Sequence, residues 1–169
     1  MKKYIFYLIF FGLTPVIADA QSVAITFLEK HGKDDNIRVV SIGKKMLKKI
    51  EEQSLGSPEL LEAIKGLDNM KIITSKDAGL SSEYYSSAYS ILLKDKDFVE
   101  VYATESDGYR ITVKKKGTKE LVNELVILSD DSKEFNMIWL SGLINLEVLL
   151  QYSVQIGLPE LKKFNDLDI

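Results

Sequence analysis

The sequence predicts an α+β domain: a mixed, mainly antiparallel sheet of about six strands, ending in a four-stranded meander, with helices mostly on one face. Three observations carry this. Two β-rich runs, 121–129 and 134–142, are joined by the polar residues Asp130, Asp131, Ser132 and Lys133, the pattern of an antiparallel hairpin. A second pair of runs, 98–104 and 109–116, flanks Glu105-Ser106-Asp107-Gly108, and Asp-Gly is a favoured hairpin turn. Upstream, apolar residues recur at helical spacing in stretches set between short β-branched runs, which gives the order α, βααβ, α, ββββ, α.

The first helix is expected from Ser22, a hydroxyl cap, through a face of Ala24, Phe27, Leu28 and His31, with Gly32 as its stop. After a turn at 33–36, residues 37–42 form a β-branched strand. In 44–52, Met46, Leu47 and Ile50 make one apolar side of a helix whose remaining faces are charged. Its lysines lie near the start and its glutamates near the end, the unfavourable order for the helix dipole. Ser57-Pro58-Glu59 starts another helix, with a hydroxyl cap, Pro at the first helical position and an acid in the first turn; Leu60, Leu61 and Ile64 face inward until Gly66. A strand over 69–75 completes βααβ, for which a right-handed crossover between parallel strands is expected.

Residues 81–93 carry Tyr84, Tyr85, Ala88, Tyr89, Ile91 and Leu92 at helical spacing, apolar enough to lie against the core. In the hairpin that follows, Val99, Val101 and Ala103 oppose Glu100 and Thr104, and Ile111 and Val113 alternate with Arg110, Thr112 and Lys114, so one side should meet water. The second hairpin differs. Leu125 and Ile127 point one way and Val126 and Leu128 the other, which places this strand centrally, apolar on both faces. A closing helix after Asn145 puts Leu146, Leu149 and Leu150 on one stripe.

The first twenty residues read as an export signal. Lys2 and Lys3 precede an apolar run that ends in Ala18-Asp19-Ala20, a small-x-small cleavage pattern, and the run falls short of the roughly 20 apolar residues that span a bilayer. Cleavage between Ala20 and Gln21 leaves one domain over 21–158 and a C-terminal tail over 159–169. With no Cys in 169 residues, neither a disulfide nor a lipidated Cys is available. The expected product is a soluble periplasmic or secreted protein with no transmembrane anchor in its mature chain. Loss of Lys2, Lys3 and Asp19 moves the net charge from −3 to −4, which argues against nucleic acid and anionic membranes as partners.

At Asn123-Glu124-Leu125-Val126-Ile127-Leu128, followed by Met137-Ile138-Trp139-Leu140-Ser141-Gly142-Leu143-Ile144-Asn145-Leu146-Glu147, the chain resembles a family of small exported proteins and lipoproteins of Bacteroidetes, domain of unknown function 4252. Val39-Val40-Ser41-Ile42-Gly43-Lys44-Lys45-Met46 is similar to that family's strand and Met-containing helix. The resemblance implies an envelope location and no known activity, and it supplies no catalytic residues. The lipidated Cys of many relatives is absent here.

Chemistry-bearing motifs are few. One His and no Cys exclude His clusters and the usual zinc, iron–sulfur and Cys-His arrangements. Gly43-Lys44 after a strand resembles the end of a phosphate-binding loop, but Arg38 stands where its first Gly belongs and Lys45 where Ser or Thr belongs. The acids Asp34, Asp35, Asp95, Asp97, Glu105, Asp107, Asp130 and Asp131 fall in turns, where Asp is favoured by its own backbone hydrogen bonds. No cofactor, metal ligand or catalytic residue is expected. Aromatics with a polar handle are enriched in interfaces and grooves, so Tyr84, Tyr85, Tyr89 and Trp139 are the candidate binding residues, with Tyr102 and Tyr109 in the wider set. The first expectation is a noncatalytic module binding another envelope protein. A binder of a small ligand or peptide in a groove between sheet and helices is the alternative, and a carboxylate-based hydrolase the third.

Overall fold

The two-sided apolarity of residues 125–128 sets the architecture. The structure, a computed structural model, describes residues 22–53, 56–118 and 121–151. The expected export signal, the expected Ala20/Gln21 cleavage point and the expected tail lie outside the described residues. In chain order the elements are α1 (Val23–His31), β1 (Ile37–Gly43), α2 (Lys44–Glu52), α3 (Pro58–Ile64), β2 (Leu67–Ser75), α4 (Ser81–Leu92), β3 (Val99–Ser106), β4 (Tyr109–Gly117), β5 (Val122–Asp130), β6 (Phe135–Ile144) and α5 (Leu146–Gln151). The strands form one six-stranded sheet in the order β1-β2-β6-β5-β4-β3. The β5–β6 hairpin is its middle, as expected, and the fold is α+β.

On one face Leu125 and Ile127 of β5 join Ile111, Val113, Ile138 and Leu140, beneath Leu47 of α2, Ile64 of α3 and Leu149 of α5. On the other, Val126 and Leu128 join Ile73, Met137 and Trp139, beneath Phe27 of α1 and Tyr84, Ala88 and Leu92 of α4. Local chemistry starts the helices where expected. Ser22 Oγ accepts from the Ile25 amide at 3.3 Å, and Ser57 Oγ from the Leu60 amide at 3.2 Å, with Pro58 at the first helical position. Asp107 and Gly108 both hold positive φ, 50° and 78°, as a tight hairpin turn requires. At the β5–β6 turn, Asp131 Oδ1 accepts from the amides of Lys133 at 3.0 Å and Glu134 at 2.7 Å. Gly142 has φ 127°, and a Cβ there would stand 2.5 Å from the Asp68 amide nitrogen and the Gly66 carbonyl oxygen, so β6 passes the start of β2 too closely for a side chain.

Four expectations are corrected. The helices do not lie mostly on one face: α2, α3 and α5 cover one and α1 and α4 the other, because a strand apolar on both sides needs both covered. The strands flanking α2 and α3 are antiparallel neighbours, Gly43 opposite Asn69 and Ile37 opposite Ser75. Two helices between strands reverse the chain once more than the single helix of a parallel crossover, so every pairing in the sheet is antiparallel. The clean alternation expected of β3 breaks at a bulge between Glu100 and Tyr102, which puts Tyr102 opposite Val113 and turns Ala103 to the face of Thr112. Finally, the polar side of β4 does not meet water: Thr112 is 3% and Lys114 8% exposed.

Leu125→Ala and Leu128→Ala test the double burial. Both side chains are fully buried, on opposite faces. Urea denaturation should show a loss of about 2–5 kcal/mol for each. A loss below about 1 kcal/mol for either would mean that one helical layer does not cover the sheet.

Candidate functional site

The polar side of β4 faces α4, where Tyr85 and Tyr89, four residues apart, share one side of the helix. The Arg110 guanidinium carbon lies 4.3 Å from the centroid of the Tyr85 ring, and Lys114 Nζ lies 5.8 Å from that of Tyr89. Further along the same side of β4, Lys116 Nζ lies 4.8 Å from the Phe98 ring centroid. Each basic group therefore meets the negative face of an aromatic ring rather than an aliphatic surface. The two tyrosine rings are themselves nearly parallel, 11° apart with centroids at 6.2 Å.

Hydrogen bonds and ion pairs fix this layer. The Tyr85 hydroxyl is 2.7 Å from Thr112 Oγ1. Arg110 Nη2 donates to Asp130 Oδ2 at 2.5 Å and to Ser82 Oγ at 2.7 Å, tying β4, β5 and the first turn of α4 together. Lys114 pairs with Glu100 at 3.6 Å, and Lys116 with Asp95 at 2.5 Å and Glu124 at 3.7 Å. Burial pushes the Tyr85 phenol up, against the opposing pull of Thr112 and Arg110.

Between α4 and the β3–β4 hairpin this arrangement leaves a cleft of about 430 Å³. Tyr85 and Tyr89 wall one side, Ala103, Thr104 and Glu105 the other, and Arg110 and Thr112 lie at its base, with Ser86 and Ser90 above. The hydroxyls of Ser86 and Ser90 donate to helix carbonyls, of Ser82 at 2.8 Å and Ser86 at 2.7 Å, so they face the cleft as acceptors.

Of the four candidate residues, the structure brings together two, Tyr85 and Tyr89. Tyr84 is on the α1 side of the same helix, 1% exposed, with its hydroxyl donating to Asp34 Oδ2. Trp139 is packed under the helices on β6, and its Nε1 donates to Glu124 Oε2 at 3.0 Å. Tyr102 and Tyr109 belong to the opposite face of the sheet. Arg110, Thr112 and Glu105 were not among the candidates. Their signal was the spacing-two basic and hydroxyl side of β4 set against aromatics four apart on α4.

His31 lies on the side of α1 that carries Phe27, as its spacing suggests. Its ring packs 4.8 Å from Phe27 and 5.2 Å from Tyr84, and Nε2 is 2.8 Å from Ser87 Oγ. Lys30 Nζ donates to the same oxygen at 3.0 Å, so the Ser87 hydroxyl is free to donate to a neutral imidazole. A Ser–His contact is the start of a nucleophilic pair. Ser87, however, lies mid-helix, where its amide is bound within α4 and gives no donor for an oxyanion. The contact joins α1 to α4. Among the described residues, no three His, Asp or Glu stand close enough to hold a metal ion.

Burial, then the neighbouring Lys30 ammonium, hold the His31 pKa below its ordinary 6.5, with Glu83 and Asp34 opposing. The folded state thus prefers the neutral ring. Its stabilisation is fully present above pH 6.5 and is lost as the pH falls below that value through the folded pKa. Urea stability measured from pH 7.5 to 5 should fall more for the native chain than for His31→Gln. Parallel curves would show that His31 titrates freely.

The chain matches no curated protein and no solved structure. The sequence profile of the family named domain of unknown function, DUF4252, matches residues 29–152, which takes in every element from the end of α1 to α5. By that match the chain belongs to the DUF4252 family.

Proposed function

We propose that this chain is an exported, noncatalytic envelope protein, and that it holds a polar segment of another envelope protein in the cleft beneath α4. The observation that carries the reading is the preorganised base of that cleft. Arg110 is already held by Asp130, Ser82 and the Tyr85 ring, so its remaining donors are fixed before a ligand arrives. Tyr89 offers an apolar edge with a polar tip, the two serines offer acceptors, and Glu105 offers a carboxylate at the rim. A peptide segment, with alternating donors and acceptors along its backbone, suits such a lining. A small polar ligand is the second reading, favoured by a volume within the ordinary range for small-molecule sites.

The noncatalytic part is supported by the engagement of the acids. Asp34 accepts from Tyr84 and from the Asn36 amide, Asp95 pairs with Lys116, and Asp130 with Arg110. A hydrolytic pair would need two carboxylates facing one another in a cleft. The export part rests on the basic start, the short apolar run and Ala18-Asp19-Ala20, and among the described residues no helix is long and apolar enough to cross a membrane.

Because the chain has no Cys, a single introduced thiol reports one place. Ser90→Cys carrying a photo-crosslinker should capture one envelope protein, and adding Tyr89→Ala should abolish the capture. A Lys65→Cys control, on α3's side of the sheet, should capture nothing in common with it. Identical products from both positions, or none from Ser90, overturn the partner reading, while chemical-shift changes at the cleft with a small polar compound alone would favour the second. Intact mass of the native exported protein should place its N-terminus at Gln21; retention of residues 1–20 would remove the export reading.

A further inference from the structure

We propose, resting on the binding role given to the cleft, that what it takes is a lysine side chain of the segment it holds. A row of three charged residues across the sheet carries this. Asp130 of β5 lies opposite Arg110 of β4, and Arg110 lies opposite Glu105 of β3, so the three side chains stand side by side on the face beneath α4. One guanidinium thus lies between two carboxylates. It pairs with Asp130 at 2.5 Å, and because that carboxylate is 2% exposed the two charges offset one another within the fold. Glu105 is left over. It is exposed at the rim of the cleft and has no ion-pair partner among the described residues.

The other polar groups of the lining have the same preference. Ser86 and Ser90 donate their protons to helix carbonyls and turn lone pairs to the cleft, while the Tyr85 hydroxyl and Thr112 Oγ1 satisfy each other at 2.7 Å. Arg110 has committed Nη2 to Asp130 and Ser82, and its remaining donors suit an uncharged main-chain carbonyl. A carboxylate drawn to Arg110 would meet Glu105 one strand away, with no cation left to offset it. An ammonium group instead meets the Glu105 carboxylate and the two serine oxygens.

Where those acceptors stand selects lysine over arginine. Glu105 belongs to the β3 wall and the serines to α4, so the acceptors come from two sides of the cleft. An ammonium points three donors in different directions, whereas the planar fork of a guanidinium suits a single carboxylate. The apolar stem of a lysine would lie along the Tyr89 ring and Ala103, which line the same cleft. The net charge of the chain, −3, has the sign that draws a basic segment toward it.

Titration of the purified chain with blocked pentapeptides that differ only in a central Lys, Gln or Glu, and with n-butylamine, tests this through the amide chemical shifts of Ser86, Ser90 and Glu105. The lysine peptide should bind about threefold to fivefold more tightly than the glutamine peptide, and the glutamate peptide most weakly. Glu105→Gln, at an exposed position, should bring the lysine peptide to the level of the glutamine peptide with circular dichroism unchanged. Asp107→Asn removes a carboxylate outside the lining and should leave the preference as it is. Equal affinity for the three peptides, or a lysine preference that survives Glu105→Gln, overturns the charge assignment and leaves the cleft as a peptide site. Shifts with butylamine alone that are lost in Glu105→Gln uphold the ammonium site and overturn the polypeptide reading instead. No shift with any of the four probes overturns both.

Discussion

The structure depends on one strand having no wet side. In β5 the side chains from Leu125 to Leu128 are all buried, two on each face, and an antiparallel sheet with such a strand at its centre must be covered twice. The chain meets this demand by dividing its helices. The α2–α3 pair and α5 close one face and α1 and α4 the other, giving two cores separated by the sheet. With no disulfide available, the burial of these two layers carries the stability of the domain.

The two cores are not equivalent. The face under α2, α3 and α5 is aliphatic, while the face under α4 changes from apolar at β5 and β6 to polar at β4. Arg110, Thr112 and Lys114 would be costly to bury beneath leucines. Beneath tyrosines they are not, since the rings attract the cations, the Tyr85 hydroxyl meets Thr112, and Asp130 and Glu100 supply counter-charges. The same arrangement leaves a polar cleft at the margin of the domain. Aromatic residues that read as an isolated patch in sequence are thus half of a pairing whose other half is β4.

What was legible follows from the range of each signal. Local chemistry marked the helix starts at Ser22 and Ser57, the turns at Asp107-Gly108 and Asp130–Lys133, and the position of β5, because each depends on neighbours in sequence. Strand direction at β1 and β2 was misread because two helices, unlike one, return the chain antiparallel, and spacing alone does not tell how a helical connection lies. The bulge at Glu100 and Tyr102 shifted the faces of β3, which no alternation pattern records. At the candidate site Tyr85 and Tyr89 were found by residue type. Arg110 and Thr112 were missed since an alternating polar side reads as solvated until a helix is known to lie over it. Tyr84 and Trp139 share the residue type but have buried polar tips already satisfied by Asp34 and Glu124.

Charge gives a further contrast between what is settled within the chain and what is left over. Around the cleft, Arg110, Lys114 and Lys116 each meet both a carboxylate and an aromatic ring, so the fold itself accounts for them. On α2 the charges are arranged against the dipole, and apart from Lys44, which pairs with Asp68, they meet no ion-pair partner among the described residues. Surface charges of that kind contribute little to stability one by one. The unfavourable order of charge on α2 is therefore outweighed by the burial of Leu47 beneath it, whereas at β4 charge and ring together decide which side chains can lie under α4.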